Sequence, residues 1–418
     1  MDWKNEINTM AIDARNCSFE LACLSSERKN EFLSLLAEIL IQKSDKILMF
    51  NQKDVKKCQK HNYSQAFIDR LLLTPERIKK MAASLRNIVN LEDPVGKIIW
   101  ETIRPNGLVI KKVRVPIGVI AIIYESRPDV TIEATSLCIK SGNCVLLRGG
   151  KESVFSNSIL VECVKEALEK TGINQNAVNL VKVGGRAGVK YLLSLNESID
   201  LVIPRGGESL IRAVVSHSKI PVIKHYKGVC HIYVDSEADE TMALKVCLNA
   251  KVQRPGTCNA METLLVHRDI AHSFLPEMAE LFKQHNVEIR GCNETLKIIP
   301  WAKPATEQDW AEEYLDLIIS IKIVNNVSEA IAHINRYGTR HSDAIITRNN
   351  DTASRFIEEI DSACVYHNAS TRFTDGGEFG LGAEIGISTD KIHARGPMAL
   401  EELTTYKYLI YGNGQIRT

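Results

Sequence analysis

The segment VPIGVIAIIYES, residues 115–126, decides the fold of this chain. Its centre, Val119 to Tyr124, is a nearly continuous apolar run, which is typical of a strand buried on both faces of a parallel sheet. Before it, residues 107–115 are β-rich but carry charges, and the first hundred residues are predicted to be helical, because their apolar positions recur at helical spacing. We therefore predict a helical start followed by a buried parallel sheet.

Strand-like and helical segments alternate after this first strand. The stretches NCVLLRGG (143–150), NLVKVGG (179–185) and LVIPRGG (201–207) are predicted strands that end in glycine pairs, and a helix over 157–170 follows the first of them. A second block of the same kind runs onward from residue 231. Such alternation indicates right-handed βαβ units, so the predicted fold class is α/β with two doubly wound, Rossmann-like domains.

Composition and charge exclude several classes of function. The 418 residues include 52 basic and 51 acidic side chains, and the formal net charge of +1 gives no support to nucleic-acid or membrane-surface binding. No stretch has the roughly 20 apolar residues of a membrane span. The amino terminus lacks the apolar core of a signal peptide. These features predict a cytoplasmic protein with two or three domains.

The chain has eleven cysteines, which are candidates for a nucleophile or for metal ligands. No Cys-x-x-Cys or Cys/His group has zinc-ligand spacing, so no metal site is predicted. A nucleophilic cysteine needs exposure and an electropositive or amide-rich setting. Cys258, in VQRPGTCNAMET, follows a helix-breaking Pro-Gly pair and lies near Arg254 and Asn259. It is the leading candidate, with Cys292 and Cys230 as rivals and a loop thiol without a role as the alternative.

The three glycine pairs are expected where a doubly wound sheet binds ligands, at the carboxyl ends of its strands. No G-x-G-x-x-G motif is present, and any single pair could simply end a strand. Basic residues beside two of the pairs suit an additional phosphate, which favours NADP over NAD. The predicted cofactor-binding residues of this sheet are Arg148, Gly149, Gly150, Lys151, Gly184, Gly185, Arg205, Gly206 and Gly207.

Six longer segments carry a recognisable pattern. They are VPIGVIAIIYESRPDVT (115–131), SGNCVLLRGGKES (141–153), IPVIKHYKGVCHIYVD (220–235), VQRPGTCNAMETLLVH (252–267), INRYGTRHSDAIIT (334–347) and EFGLGAEIGISTDKIHARGPMALEELTTYKY (378–408). Together they resemble the γ-glutamyl phosphate reductase family of the aldehyde dehydrogenase superfamily. The resemblance runs almost end to end, and the last segment is specific to this family rather than to the superfamily.

The resemblance implies an aldehyde dehydrogenase-like subunit in three parts. An NADP-binding domain is expected over 1–106 and 116–230, with 388–403 returning to it, and a catalytic domain over 231–387. A small β-ribbon for homo-oligomerisation is expected from two segments, 107–115 and 404–418.

The resemblance also implies an activity. This is the NADPH-dependent reduction of L-glutamyl 5-phosphate to L-glutamate 5-semialdehyde and phosphate, the second step of proline biosynthesis from glutamate. Cys258 aligns with the nucleophile that forms a thioester, Arg148 falls where relatives place a lysine against the cofactor ribose, and Glu313 falls near a glutamate on the nicotinamide-side ribose. Many oxidising relatives activate water with a glutamate where this chain has Lys224 and His225, and an acyl phosphate reductase does not need that base.

The substrate's α-carboxylate needs a cation or an amide cradle, for which the candidates are Arg127, Asn259, Asn368 and Arg372. The expected partners are the substrate, phosphate, further copies of the chain and, transiently, glutamate 5-kinase. A second oxyanion donor besides the backbone N–H of Cys258 has no counterpart in YESRPDV.

Two alternative functions stay open on the sequence. One is a non-phosphorylating dehydrogenase of a small aldehyde acid, against which the missing glutamate argues. The other is a non-catalytic protein that stabilises glutamate kinase, against which the intact Cys258 loop argues.

Overall fold

The computed structural model describes residues 2–417 and their side chains, except that of Ala66. The chain divides into two compact units. Unit 1 comprises the residues up to Lys224, Gly380–Gly386 and the residues from Met398 onward, and unit 2 comprises His225–Phe379 and Ile387–Pro397. No helix among residues 2–417 combines the length and the hydrophobicity that a transmembrane crossing demands.

Unit 1 begins with five helices. Side chains of Asp2, Ser25, Ser64 and Thr74 accept backbone N–H groups at the starts of four of them, which satisfies donors that a helix leaves without partners. The helices are α1 (Trp3–Leu21), α2 (Ser26–Gln42), α3 (Ser44–Lys60), α4 (Gln65–Leu71) and α5 (Pro75–Val89). The predicted helical start is confirmed as far as Val89.

A four-stranded parallel sheet follows in the order β5-β4-β3-β6. All six residues of β3 are buried, as the apolar run predicted. The strands are β3 (Val119–Tyr124), β4 (Cys144–Arg148), β5 (Val178–Leu180) and β6 (Leu201–Arg205), and the helices are α6 (Asp129–Lys140), α7 (Val154–Lys170), α8 (Gly185–Leu192) and α9 (Glu208–His217). Strand β5 is shorter than the predicted 179–185, because the chain turns away toward α8.

A separate three-stranded antiparallel sheet belongs to unit 1. It consists of β1 (Ile98–Ile103), β2 (Val109–Pro116) and β16 (Thr404–Tyr411), in the order β1-β2-β16. The predicted ribbon segments form its last two strands. The expectation that the first hundred residues are helical is wrong from Ile98, where the β-branched and aromatic run IIWETI favours a strand.

Unit 2 contains a seven-stranded sheet in the order β10-β9-β11-β8-β7-β12-β13, and all its pairings are parallel. Its strands are β7 (Cys230–Val234), β8 (Met261–His267), β9 (Glu288–Gly291), β10 (Lys303–Pro304), β11 (Ile318–Val324), β12 (Ser342–Ile346) and β13 (Cys364–His367). Its helices are α10 (Glu240–Val252), α11 (Arg268–Gln284), α12 (Asn293–Ile298), α13 (Val327–Tyr337) and α14 (Asn350–Glu359). The second α/β block is confirmed, although β9, β10 and β13 were not predicted.

The boundaries of unit 2 differ from the expected catalytic domain of 231–387. The unit begins at His225 and also includes Ile387–Pro397, most of which was expected to return to the first domain. In that segment β14 (Ile387–Ser388) pairs with β15 (Gly396–Pro397), and Arg395 binds Asp361 of the same unit at 2.8 Å. The chain therefore returns to unit 1 twice, first over Gly380–Gly386 and then from Met398 onward.

Candidate active site around Cys258

The leading cysteine candidate lies in a loop of unit 2 between α10 and β8, residues 253–260, which we call the nucleophile loop. Cys258 is half-buried. Its rival Cys230 is fully buried, and burial raises the pKa of that thiol well above its usual value, which disfavours the reactive thiolate. Cys292 is half-buried, but its sulfur lies 3.3 Å from Thr295 Oγ1. Cys258 is therefore the best-placed nucleophile of the three.

The backbone of Cys258 is held by a neighbouring segment of unit 2. The Cys230 thiol donates to the Cys258 carbonyl oxygen at 3.2 Å. Gly228 lies so close that a Cβ atom added there would be 1.8 Å from the same oxygen. The segment that contains Gly228 and Cys230 therefore passes directly beside the nucleophile loop.

Gly228→Ala is expected to displace Cys258 and to lower kcat by about 100-fold, because a shift of about 1 Å in a reacting group costs that much. The matched control is Gly256→Ala in the same loop, where an added Cβ would meet no atom closer than Leu315 O at 3.7 Å. Steady-state turnover and the rate of Cys258 alkylation by iodoacetamide would be measured for both. Wild-type kinetics in Gly228→Ala would contradict the proposed contact.

The side chain of Glu313 binds the backbone of Gly228, the residue that packs against Cys258. Its Oε1 accepts the backbone N–H of Gly228 at 2.7 Å. Two residues further on, the backbone N–H of Leu315 donates to Glu262 Oε1 at 3.2 Å. The segment around Glu313 is thus tied both to Gly228 and to the strand that follows the nucleophile loop. Glu313, which was predicted to bind the cofactor, therefore lies in unit 2 together with Cys258.

A fully buried ion pair joins the two ends of the nucleophile loop. Lys251, in the last turn of α10, donates to Glu262, the second residue of β8, at 2.6 Å, and neither side chain is exposed. Burial raises the pKa of Glu262 to about 7, and the Lys251 ammonium opposes that shift. The ion pair therefore fixes the distance between the two ends of the nucleophile loop.

A short 3₁₀ turn of unit 2, Thr371–Phe373, is hydrogen-bonded to the nucleophile loop. Arg372 donates from Nε to Gln253 Oε1 at 2.8 Å and from Nη1 to Thr257 Oγ1 at 3.0 Å. Thr371 donates to the carbonyl of Asn259 at 2.7 Å. The structure therefore brings the predicted residue Arg372 to the nucleophile loop.

The amides of the two predicted asparagines are held by the protein itself. Asn259 Nδ2 donates to Thr374 O at 2.9 Å, and its Oδ1 accepts from Thr257 at 2.9 Å. Asn368 accepts the N–H of Thr347 at 3.0 Å and donates to the carbonyl of the same residue at 3.0 Å. Asn259 thereby shapes the nucleophile loop, whereas Asn368 bridges the end of β12.

The predicted cofactor residues other than Glu313 lie in unit 1, at or just beyond the carboxyl ends of β4, β5 and β6. Arg148 donates to Val181 O at 3.0 Å and to Gly185 O at 3.3 Å, so it joins β4 to the turn before α8. Burial lowers the pKa of Arg148. Its Nε is buried and has no hydrogen-bond partner among residues 2–417.

The remaining predicted residues of unit 1 differ in their surroundings. Gly149 is required by packing, because an added Cβ would lie 2.1 Å from Asn157 Nδ2. The N–H of Gly207 donates to Glu125 at 3.1 Å, which connects the ends of β3 and β6. Lys151 and Arg127 are exposed. Of the four substrate candidates, Arg127 is the one that belongs to unit 1.

Several residues that shape the site were not singled out in the sequence. Gly228 gives no local signal, because its close approach to Cys258 depends on tertiary structure. Lys251 and Glu262 do give one, since each interrupts an apolar run beside the nucleophile loop. A charge at such a position is almost never fully buried without a partner. That rule would have predicted the pair.

Two buried histidines of unit 2 predict how stability responds to acid. Burial lowers the pKa of His333 to about 2 and that of His341 to about 3. Unfolded histidines have a pKa of about 6.5, so their contribution to stability is present above that pH and is lost as the pH falls toward the folded pKa. Between pH 6 and pH 4.5 the two should lower the free energy of unfolding by about 4 kcal/mol.

Urea unfolding at both pH values measures this loss. His333→Phe should remove about half of the histidine contribution. His285→Gln, at an exposed position, should leave the loss unchanged. Identical pH dependence in the wild type and in His333→Phe would contradict the assignment.

Comparison with known proteins agrees with this fold. The sequence profile described as "Aldehyde dehydrogenase family" matches residues 3–316. A γ-glutamyl phosphate reductase from Carboxydothermus hydrogenoformans is 54% identical over 413 residues, which covers 99% of this chain and 100% of the relative. The crystal structure of a γ-glutamyl phosphate reductase from Thermotoga maritima superposes with a TM-score of 0.97 at 48% identity and covers 99% of this chain and 100% of that one.

An acetylating aldehyde dehydrogenase from Geobacillus thermoglucosidasius shares the fold alone, with a TM-score of 0.72 at 14% identity, over 100% of this chain and 98% of that one. The chain belongs to the aldehyde dehydrogenase family and, within it, to the γ-glutamyl phosphate reductase family. The resemblance of the six segments and the aldehyde dehydrogenase-like α/β fold are thereby confirmed.

Proposed function

We propose that this protein reduces L-glutamyl 5-phosphate to L-glutamate 5-semialdehyde and phosphate, the second step of proline biosynthesis from glutamate. The observation that carries the proposal is the half-buried Cys258, held in a loop of unit 2 against Gly228, in a chain 54% identical to a γ-glutamyl phosphate reductase. The chain is therefore an oxidoreductase that works through a cysteine thioester.

The chemistry at Cys258 follows from its being a nucleophile. The thiolate attacks the acyl carbon, a C–S bond forms, and the bond between that carbon and the phosphate oxygen breaks to release phosphate. Reduction of the resulting thioester gives a thiohemiacetal, from which the Cys258 thiolate leaves as the aldehyde forms. The segment beside the loop has His225 where oxidising relatives have a glutamate, and His225 Nδ1 lies 2.8 Å from the Ile387 carbonyl. We infer that this chain does not activate water against its thioester.

Members of the aldehyde dehydrogenase family use NAD(P), and the residues of unit 1 fit such a group. Arg148 has a buried Nε without a partner among the described residues, and Lys151 is exposed at the start of the adjacent 3₁₀ turn. We infer that these cations, with Arg205, hold the phosphates and favour NADPH over NADH. When bound, NADPH supplies the hydride that reduces the thioester.

The decisive experiment is the reverse reaction. Purified full-length protein would be supplied with L-glutamate 5-semialdehyde, inorganic phosphate and either NADP or NAD. Phosphate-dependent formation of reduced cofactor, faster with NADP, is the expected result. Reduction that proceeds equally without phosphate would instead identify a non-phosphorylating dehydrogenase, and no reduction under any condition would support a non-catalytic role.

The substrate's α-carboxylate needs its own cation. Arg127 is an exposed arginine of unit 1, in the segment just after β3, and we propose it for this role. The side chains of Asn259 and Asn368 bond to neighbouring backbone and hydroxyl groups, so we propose that both position the loop and strand ends around the site. Arg127→Gln should raise the KM for the semialdehyde and leave the KM for phosphate unchanged, and the opposite pattern would refute this role.

The three-stranded sheet supports self-association. Large apolar side chains are exposed on it, and they include Trp100, Ile103, Tyr408, Ile410 and Tyr411. An exposed apolar surface of this kind on an edge strand is a ready site for pairing. We propose that a second copy of the chain covers it, whereas a transient contact with glutamate 5-kinase is proposed only from the family resemblance. Ile410→Lys, in the edge strand β16, should yield monomers in analytical ultracentrifugation, and an unchanged oligomer would refute the proposal.

We propose a cytoplasmic location, and the state of the cysteines supports it. All eleven are free thiols, which fits a reducing compartment such as the cytoplasm. Recovery of the protein from an oxidising compartment in cell fractionation would contradict this.

A further inference from the structure

Two guanidinium groups lie on the nucleophile loop, and the proposed chemistry has not yet used them. Arg254 belongs to the loop itself, four residues before Cys258, and its side chain is exposed. Arg372 spans the loop from Gln253 to Thr257, the residues that immediately precede Arg254 and Cys258. Arg372 is therefore hydrogen-bonded to the same short stretch that carries Arg254 and the nucleophile.

Neither cation is neutralised by the protein. The hydrogen-bond partners of Arg372 on the loop are an amide oxygen and a hydroxyl, and neither arginine takes part in an ion pair among residues 2–417. Burial and then the charge of Arg254 lower the pKa of Arg372, whereas Cys258 and, less strongly, Asp375 raise it. Two like charges within electrostatic reach of each other and of the thiol favour the binding of an anion.

We propose that Arg254 and Arg372 bind the phosphate group of the acyl phosphate while Cys258 displaces it. This assignment rests on the proposed function and adds the subsite for its leaving group. It also changes the ligand assigned to Arg372. The sequence predicted that Arg372 binds the α-carboxylate, and we now assign it to the phosphate.

Chemical connectivity favours phosphate over the other anions of the reaction. In an acyl phosphate the phosphorus is separated from the attacked carbon by a single oxygen. A group that binds phosphate during attack must therefore lie near the sulfur, and Arg372 is hydrogen-bonded to Thr257, the residue immediately before Cys258. The α-carboxylate is several carbon atoms further away. Two guanidinium groups also match a phosphate dianion better than a carboxylate with a single charge.

The charge balance of the step explains why two cations are useful. The thiolate brings one negative charge and the phosphate carries two. When the carbon–oxygen bond breaks, its electron pair leaves with the phosphate, which gains one further negative charge and then takes up one proton from the buffered solvent to become hydrogen phosphate. Arginines that stay protonated throughout stabilise this developing charge without a proton transfer of their own.

The experiment uses the phosphate-dependent oxidation of L-glutamate 5-semialdehyde by the full chain, with Arg254→Gln, Arg372→Gln and Arg372→Lys. Each glutamine variant should raise the KM for inorganic phosphate by about tenfold or more, with less than a twofold change in the KM for semialdehyde. Arg372→Lys keeps the charge and should recover part of the loss. The matched control is Arg355→Gln, which removes an exposed arginine paired with Glu359 on α14.

A second measurement needs no turnover. Inorganic phosphate should slow iodoacetamide alkylation of Cys258 in the wild type and in Arg355→Gln, but not in Arg254→Gln or Arg372→Gln. Because Arg254 is exposed, its variant should fold even if Arg372→Gln does not.

Three results would overturn the assignment. A raised KM for semialdehyde with an unchanged KM for phosphate would indicate that Arg254 and Arg372 bind the α-carboxylate. A raised KM for NADP alone would indicate that the two arginines bind the cofactor. No change in any of the three KM values would indicate that their role is structural. The proposed function fails separately, when the wild type itself shows no dependence on phosphate.

Discussion

Cys258→Ser is expected to abolish acyl transfer, with turnover reduced by at least about 10³-fold, because a serine hydroxyl without an adjacent base is a far weaker nucleophile than a thiolate. The substitution changes one atom in a half-buried side chain, so the fold should persist. The loss should appear in kcat, since the thiol reacts with the substrate but is not its binding group.

Reductase turnover and thermal unfolding would be measured together for this variant. Cys292→Ser is the matched control, because Cys292 is also half-buried and also belongs to unit 2. Cys23→Ser gives a second control at an exposed position. Undiminished turnover in Cys258→Ser would remove the nucleophile and with it the thioester pathway.

Lys251→Met should have the largest effect on stability, at about 3–5 kcal/mol. The methionine removes the ammonium group but leaves Glu262, which is fully buried, without the partner that lies 2.6 Å from it in the wild type. A buried carboxylate without a cation must either stay charged in an apolar interior or take up a proton. Because the pair joins the ends of the nucleophile loop, turnover should fall as well.

Urea unfolding would measure this loss, and two controls define its cause. The double variant Lys251→Met with Glu262→Gln removes both charges and should recover much of the stability. Arg355→Gln breaks a half-exposed pair with Glu359 and should cost no more than about 1 kcal/mol. If Lys251→Met were as stable as the wild type, the buried pair would have no role in holding the loop.

The sequence predicted the elements whose pattern is local. The run from Val119 to Tyr124 is a strand with every residue buried, and the helical spacing of the amino-terminal region gives five helices. Cys258 was favoured by a Pro-Gly break and nearby polar residues, which are also local features. These properties follow from the periodicity and the conformational preferences of neighbouring residues.

The features that the sequence did not predict depend on contacts between distant segments. The approach of Gly228 to Cys258 spans thirty residues, and Arg372 reaches Thr257 across 115. Strand β1 exposes most of its residues and forms its ladder only with β2, so it lacks the alternating burial that would mark it. Short-range patterns carry no information about such pairings.

The order in which the segments of unit 1 occur has a consequence for biosynthesis. Strand β2, at Val109–Pro116, pairs with residues 404–411, which a ribosome adds long after residue 224 has been made. At about 5–20 residues per second, the 180 residues between these points take roughly 10–40 s. During that interval His225–Phe379 emerges as one continuous stretch and has time to form its own sheet. One side of β2 stays open until the end of translation, so nascent chains should need protection from aggregation there.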